Sequence, residues 1–286
     1  MNNYIRDNRV STIRHYLKVE LLALYDSREA DAIVKLLFDH YLNWSPTDLM
    51  VKLNDGLSES EILLFHQALK KLKQGLPVQY ATGSAHFMGM NLKVTPDTLI
   101  PRPETEELVR LALDENTQPN LRVLDIGTGS GCIGLGFKKE RQDAEVTLLD
   151  ASQAALDVAQ KNAENNRLSV ETICADILHF NTKLQWDIII SNPPYIPLSE
   201  KQEMHDRVVK FEPHMALFVT DSQPLIFYER ILQMARIILR PGGKIYFEIH
   251  ERMADSLDKL CRDYGRTKFH FQRDMQGKNR MLVVES

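Results

Sequence analysis

From Leu121 onward the sequence alternates short apolar, β-branched runs with helical stretches, and this alternation leaves the chain few folds to choose from. Residues 122–126, 145–149, 171–174 and 186–190 read as strands, with helices over 131–139 and 152–166. A helix over 223–239, ended by Pro241-Gly242-Gly243, precedes a strand at 244–248, a helix over 252–264 and two late strands near 268–272 and 281–285. Units of this kind wind into a mostly parallel α/β sheet with right-handed crossovers, and the last two strands suit an antiparallel edge. Such sheets bind ligands outside the carboxyl ends of their strands, where the strand order reverses. The loops that follow the strands therefore carry the functional expectation.

The first of these loops is Asp125-Ile-Gly-Thr-Gly-Ser-Gly-Cys-Ile-Gly134. Two spacings fit it. Gly129, Gly131 and Gly134 match a dinucleotide fingerprint. Gly127, Gly129 and Gly131 match the loop of S-adenosylmethionine-dependent methyltransferases. Both use the missing Cβ atoms to rest a ligand on the backbone, beside a helix N-terminus that favours anionic groups. Asp150 ends the second strand, where an acid bonds ribose hydroxyls in either case. Asp176, at the end of the third strand, is placed to reach an adenine amine; a solvated loop acid is its structural alternative. A ligand of adenosine type follows from these residues, with NAD and S-adenosylmethionine both open.

The fourth strand separates the two. It ends in Asn192-Pro-Pro-Tyr195, with no His or Lys to move the proton that hydride transfer requires. Adjacent prolines remove two backbone donors and stiffen the chain. A planar amide or aromatic amine has its nitrogen lone pair in conjugation and attacks a sulfonium methyl poorly. The Asn192 side-chain oxygen and the Pro193 carbonyl can grip the NH₂ of such a group, positioning it and stabilising the transition state. Pro194 removes a competing donor and sets the direction of that carbonyl. The Tyr195 ring can stack on a planar group and favour nearby positive charge. Asn192, Pro193 and Tyr195 are thus the catalytic candidates, and Asn192 to Tyr195 the substrate-binding ones. Positioning of this kind supplies about 7–11 kcal/mol in good cases. The alternative is a turn that merely ends a strand.

Residues up to about 73 have another pattern. Leu17, Leu21 and Leu24 recur at helical spacing over 14–25, and Ala32, Ile33, Leu36 and Leu37 over 28–42. Ser45-Pro46 resembles a helix start, and Ser58-Glu-Ser-Glu61 a capping box before Ile62, Phe65, Leu69 and Leu72. No catalytic constellation falls here, so any function of this small bundle is to offer a surface. Alternation around Leu92 and Val94 suits a hairpin within 86–100. The acidic run after Pro101 and Pro103 suits the first turn of a helix. Three domains are expected: a helical substrate-docking domain over 1–76, a hairpin linker over 77–100 and a catalytic domain over 101–286.

A chain of 286 residues with 43% hydrophobic content builds its core without a metal or disulfide staple. Three cysteines without a CxxC suit a reducing compartment, and no His or Cys cluster has metal-ligand spacing. A net charge of −4 excludes whole-chain electrostatic binding to nucleic acid. The N-terminus lacks the apolar core of a signal peptide, and no apolar run approaches the ~20 residues of a membrane span. A cytoplasmic protein is expected.

Several segments together carry a family resemblance: "PRPETEELV" at 101–109, "DIGTGSG" at 125–131, "SNPPYIP" at 191–197 and "FEPHMALF" at 211–218. With "PVQYATGSAHFMGM" at 77–90 and "QGKNRML" at 276–282, the chain from about residue 77 resembles the HemK/PrmC family of release-factor glutamine methyltransferases. The resemblance implies a Rossmann-like methyltransferase domain with a mostly parallel seven-stranded sheet, behind a small helical bundle. It implies transfer of a methyl group from S-adenosyl-L-methionine to N5 of the glutamine in the Gly-Gly-Gln motif of peptide chain release factors. A monomer that needs neither nucleic acid nor membrane is expected. By similarity, Gly127, Thr128, Gly129, Ser130, Gly131, Asp150, Asp176, Ile177 and Asn192 contact the cofactor, and Asn192, Pro193, Pro194 and Tyr195 grip the glutamine. Relatives commonly carry an aromatic residue where this chain has Ile177, and Glu-Ile-Gly where it has Glu248-Ile-His250. His250 reads as a pocket residue or as an ordinary loop histidine. Arg102 and Glu104 read as braces of the cofactor loop or as structural ion-pair partners. The alternative functions are adenine-N6 methylation of nucleic acid, which needs an extruded base and a basic cleft, a NAD-dependent oxidoreductase, and a non-catalytic cofactor-binding scaffold.

Overall fold

The apolar spacing of the N-terminal residues becomes four helices and a short fifth in the computed structural model, which describes residues 7–286. Residues 1–6, most of the stretch on which the lack of a signal peptide rests, lie outside the described residues. The chain parts into two compact units between Ser84 and Ala85. In the first, α1 (Val10–Leu21) buries Val10, Ile13, Leu17 and Leu21, one residue per turn on one face. It begins and ends four residues before the expected 14–25. α2 (Ser27–Leu42) starts on Asp26, whose carboxylate accepts from the Arg28 and Glu29 N–H groups, and so the chain must leave the helix before it. α3 (Pro46–Val51) and α4 (Glu59–Lys73) both open with capping boxes, Ser45/Asp48 and Ser58/Glu61. α5 (Val78–Thr82) ends at left-handed Gly83. Phe38 and Phe65 meet at 4.6 Å in the shared core.

The second unit opens with a hairpin, β1 (Ser84–Phe87) and β2 (Met90–Lys93), turned by Met88 and Gly89, both at positive φ. Glu106 accepts from the Met88 N–H and Lys139 donates to its carbonyl, which fixes this mirror-image turn. α6 (Pro103–Glu115) follows. The hairpin and residues 95–100 thus belong with the second unit, and α5 with the first, where the sequence divided the chain at 76 and 100.

The remaining elements build the sheet: β3 (Arg122–Ile126), α7 (Cys132–Glu140), β4 (Glu145–Asp150), α8 (Gln153–Asn165), β5 (Glu171–Cys174) and β6 (Trp186–Ser191). After it come β7 (Ile196–Pro197), α9 (Asp206–Phe211), α10 (His214–Leu217), β8 (Phe218–Val219), α11 (Ile226–Ile238), β9 (Leu239–Glu248), α12 (Ala254–Asp263), β10 (Phe269–Arg273) and β11 (Asn279–Glu285). The sheet has seven strands in the order β5-β4-β3-β6-β9-β11-β10, and only β11 runs against the rest. Its central strands are apolar on both faces, as a sheet covered on both sides requires. α6, α7 and α8 cover one face with Leu108, Leu135 and Ala159; α11 and α12 cover the other with Tyr228, Leu232 and Leu257. The strand order therefore reverses between β3 and β6, and a crevice opens at their carboxyl ends. Pro241-Gly242-Gly243 does not precede β9 as the sequence predicted. It lies inside the strand, at the irregularity where Trp186 pairs with Leu239 and Ile188 with Lys244. A Cβ on Gly243 would stand 2.7 Å from the Asp187 carbonyl, so only glycine fits that approach. Among the described residues no helix is long and apolar enough to cross a membrane.

Candidate active site

The glycine loop leaves β3 and folds over the end of β4, where the Gly127 and Thr128 N–H groups both donate to the Leu149 carbonyl. Asp125 anchors it from below. One carboxylate oxygen accepts from the Thr128 hydroxyl at 2.5 Å and the Gly134 N–H at 2.9 Å; the other is buried without a partner. Burial pushes this carboxyl up to about 7. Gly134 has no room for a side chain, since a Cβ would lie 2.3 Å from Leu148. Gly127 and Gly129 differ: both have positive φ, and a Cβ on either would meet nothing within 4 Å. Their backbone faces open space.

That space is a cavity of about 310 Å³. Gly127 and Gly129 form one wall, Asp150, Asp176 and Ile177 another, and Asn192, Pro193 and Pro194 a third. Leu149, Phe227 and Ile231 line it with apolar surface, and Leu99, from a loop, and Met215, from α10, border it. Asp150 lies 2.9 Å from the Gly129 N–H and 2.9 Å from the Ser152 N–H, one oxygen to each, which leaves lone pairs free for a ligand. Asp176 is exposed and bonds the Leu178 N–H and the His179 ring. Ile177 is buried, with its side chain in the core beneath α11.

Not every residue singled out from the sequence borders this space. The Thr128 hydroxyl points down to Asp125, Ser130 is buried with its hydroxyl unpaired, and Gly131 caps α7. Tyr195 turns away from the cavity. Its ring packs against the core and the His250 ring, and its hydroxyl donates to Glu248 at 3.2 Å. Burial raises its hydroxyl well above the usual phenol range. His250 stands 3.4 Å from Glu200 and does not line the cavity; burial lowers its imidazole. Arg102 pairs with Glu212 at 2.5 Å, not with the glycine loop, and Glu212 also accepts from the Ile100 N–H. Glu104 lies 3.5 Å from the Gln276 amide.

At the end of β6, the Ser191 hydroxyl donates to the Ile126 carbonyl and locks this strand end to β3. Asn192 then donates through Nδ2 to Thr105 Oγ1 at 3.4 Å. Among the described residues nothing donates to Asn192 Oδ1 or to the Pro193 carbonyl. Two open acceptors therefore stand at the elbow, and its side-chain donor, Asn192 Nδ2, is turned to Thr105. Thr105 and Glu248, which join it from α6 and β9, were not recognised as site residues in the sequence; the family-like segments around them were the only signal.

Residues 105–215 match the methyltransferase small domain family, and residues 14–83 match the PrmC N-terminal domain family. The release factor glutamine methyltransferase of Bacteroides thetaiotaomicron is 37% identical, over 96% of this chain and 99% of its own. That of Streptococcus pneumoniae is 42% identical, over 85% and 87%. The chain belongs to the release factor glutamine methyltransferase family. The human methyltransferase 10 domain containing protein shares the fold at 18% identity, with a TM-score of 0.51 over 69% of this chain and 89% of that one. As a member of this family the protein is an enzyme whose methyl donor is S-adenosyl-L-methionine. The cavity fits such a group: its size lies in the usual ligand range, a Cβ-free wall admits close backbone approach, and an apolar lining stands beside a carboxylate with spare lone pairs.

Proposed function

We propose that this enzyme methylates the side-chain amide nitrogen of the glutamine in the Gly-Gly-Gln motif of peptide chain release factors, and that the Asn192–Pro193 elbow holds that amide. The names of the relatives supply the substrate class. One observation carries the role of the elbow: two unpaired acceptors border the same cavity as the glycine loop and Asp150. S-adenosylmethionine, when bound, supplies a methyl group on a cationic sulfur. Gly127, Gly129, Asp150, Asp176 and Ile177 would hold it, with Thr128, Ser130 and Gly131 shaping the loop from behind. The amide nitrogen is a weak nucleophile. Asn192 Oδ1 and the Pro193 carbonyl take its two N–H groups, aim the nitrogen at the methyl carbon, and favour the increase in N–H acidity as the new bond forms. Pro194 brings no donor into this corner. Tyr195 acts by packing the elbow, since its hydroxyl is committed to Glu248. The helical unit, residues 1–84, docks the release factor. The enzyme works as a monomer in the cytoplasm and needs no nucleic acid.

Mass spectrometry of a release factor after reaction tests this. The wild-type enzyme should add a single methyl to the glutamine, and Asn192→Ala should slow that by about 100-fold or more while still binding S-adenosylmethionine. Full activity in the variant would overturn the role of the elbow.

A further inference from the structure

We propose that Thr105 and Glu248 are positioning residues that decide which end of the Asn192 amide faces the cavity. The inference rests on the role given above to Asn192. An asparagine side chain can turn its oxygen or its NH₂ to a given partner, and the two ends are almost the same size. Only the oxygen can accept from a substrate NH₂. With the NH₂ turned outward, donor would face donor and the grip on the amide would be lost.

The surroundings of Asn192 remove this choice. Glu248 is buried at 2% exposure at the end of β9, and its two oxygens stand 2.6 Å from Thr105 Oγ1 and 3.2 Å from the Tyr195 hydroxyl. A carboxylate only accepts. The single hydroxyl proton of Thr105 is thus committed to Glu248, and its oxygen can only accept in turn. Asn192 must then offer Nδ2 to Thr105, which it does at 3.4 Å, and Oδ1 is left for the cavity. Burial raises the Glu248 carboxyl, and the Thr105 and Tyr195 hydroxyls together with the positive Arg280, itself bonded to Asp274 and to the Ile249 carbonyl, oppose that rise and favour the ionised form. Direction passes from a carboxylate through a hydroxyl to an amide by acceptor and donor rules alone. Neither Thr105 nor Glu248 lines the cavity, so they act through Asn192.

Steady-state kinetics of the full-length enzyme on an intact release factor test this, with S-adenosylmethionine affinity and thermal unfolding measured alongside. Thr105→Val keeps the shape and removes the acceptor, and should lower kcat by about 10–100-fold with KM for both substrates nearly unchanged. Thr105→Ser keeps the hydroxyl and should restore most of the rate. Glu248→Leu frees the Thr105 proton to turn toward Asn192, and should lower kcat similarly with Thr105 intact. If Thr105→Val keeps the wild-type kcat while Asn192→Ala does not, the relay is wrong and the role of Asn192 stands. If Asn192→Ala is itself fully active, both fall. If Thr105→Val loses cofactor binding in step with rate, or Thr105→Ser fails to rescue, Thr105 is merely structural and the inference is overturned.

Discussion

At the scale of single residues, Asp125 shows how burial becomes a dependence on pH. It was legible only as the first letter of the glycine motif, because its burial comes from strands on both sides. Lifted to about 7, the carboxyl stays protonated in the folded chain at pH values where the unfolded chain, near 3.8, has released its proton. The folded state thus holds an extra proton between about pH 4 and 7. Stability from this group is full below that window and falls as pH rises through it, by about 1.4 kcal/mol for each pH step of one. Asp125→Asn keeps an oxygen for Thr128 and Gly134 and does not titrate. Urea unfolding from pH 4 to pH 8 should therefore show the wild type losing stability relative to Asp125→Asn as pH rises. A constant gap between them would contradict the buried proton.

Among elements, what the sequence revealed was local. The apolar runs of β3, β4, β5 and β6, the helix starts at Ser45 and Ser58 and the glycine loop each lie within a dozen residues, and each sits where it was expected. Contacts between distant segments were hidden: Thr105 and Glu248 are 143 residues apart, and Arg102 and Glu212 are 110 apart. The second pair joins the start of α6 to the segment ahead of α10, which brings Pro213, Met215 and Ala216 to the cavity rim. The parallel pairing of β7 with β8 holds the other end of that segment beside the elbow. Glu212 is almost wholly buried, so Arg102→Ala would strand its charge with only the Ile100 N–H as donor. A loss of about 1–3 kcal/mol is expected, with weaker S-adenosylmethionine binding because one wall of the cavity loosens. Calorimetric titration would reveal this; unchanged affinity with lowered stability would mean that the pair holds the fold and not the cavity.

At the scale of the molecule, the chain divides into two units that each have an apolar core of their own. Leu17, Leu37, Phe38 and Phe65 centre the first, and two clusters flank the sheet in the second. All residues bordering the cavity, from Asp97 to Ile231, belong to the second. A chain that begins at Gly83 retains the whole hairpin and the whole sheet, so it should fold and bind S-adenosylmethionine with an affinity within about threefold of the full chain, a difference well under 1.4 kcal/mol. It should also methylate a short Gly-Gly-Gln peptide at the full-length rate, because the amide meets only the elbow. On an intact release factor its kcat/KM should fall by about tenfold or more, because the binding energy of a docking surface is spent in reaching the transition state. Parallel loss on peptide and protein would show that residues 1–82 support the catalytic unit and do not select its substrate.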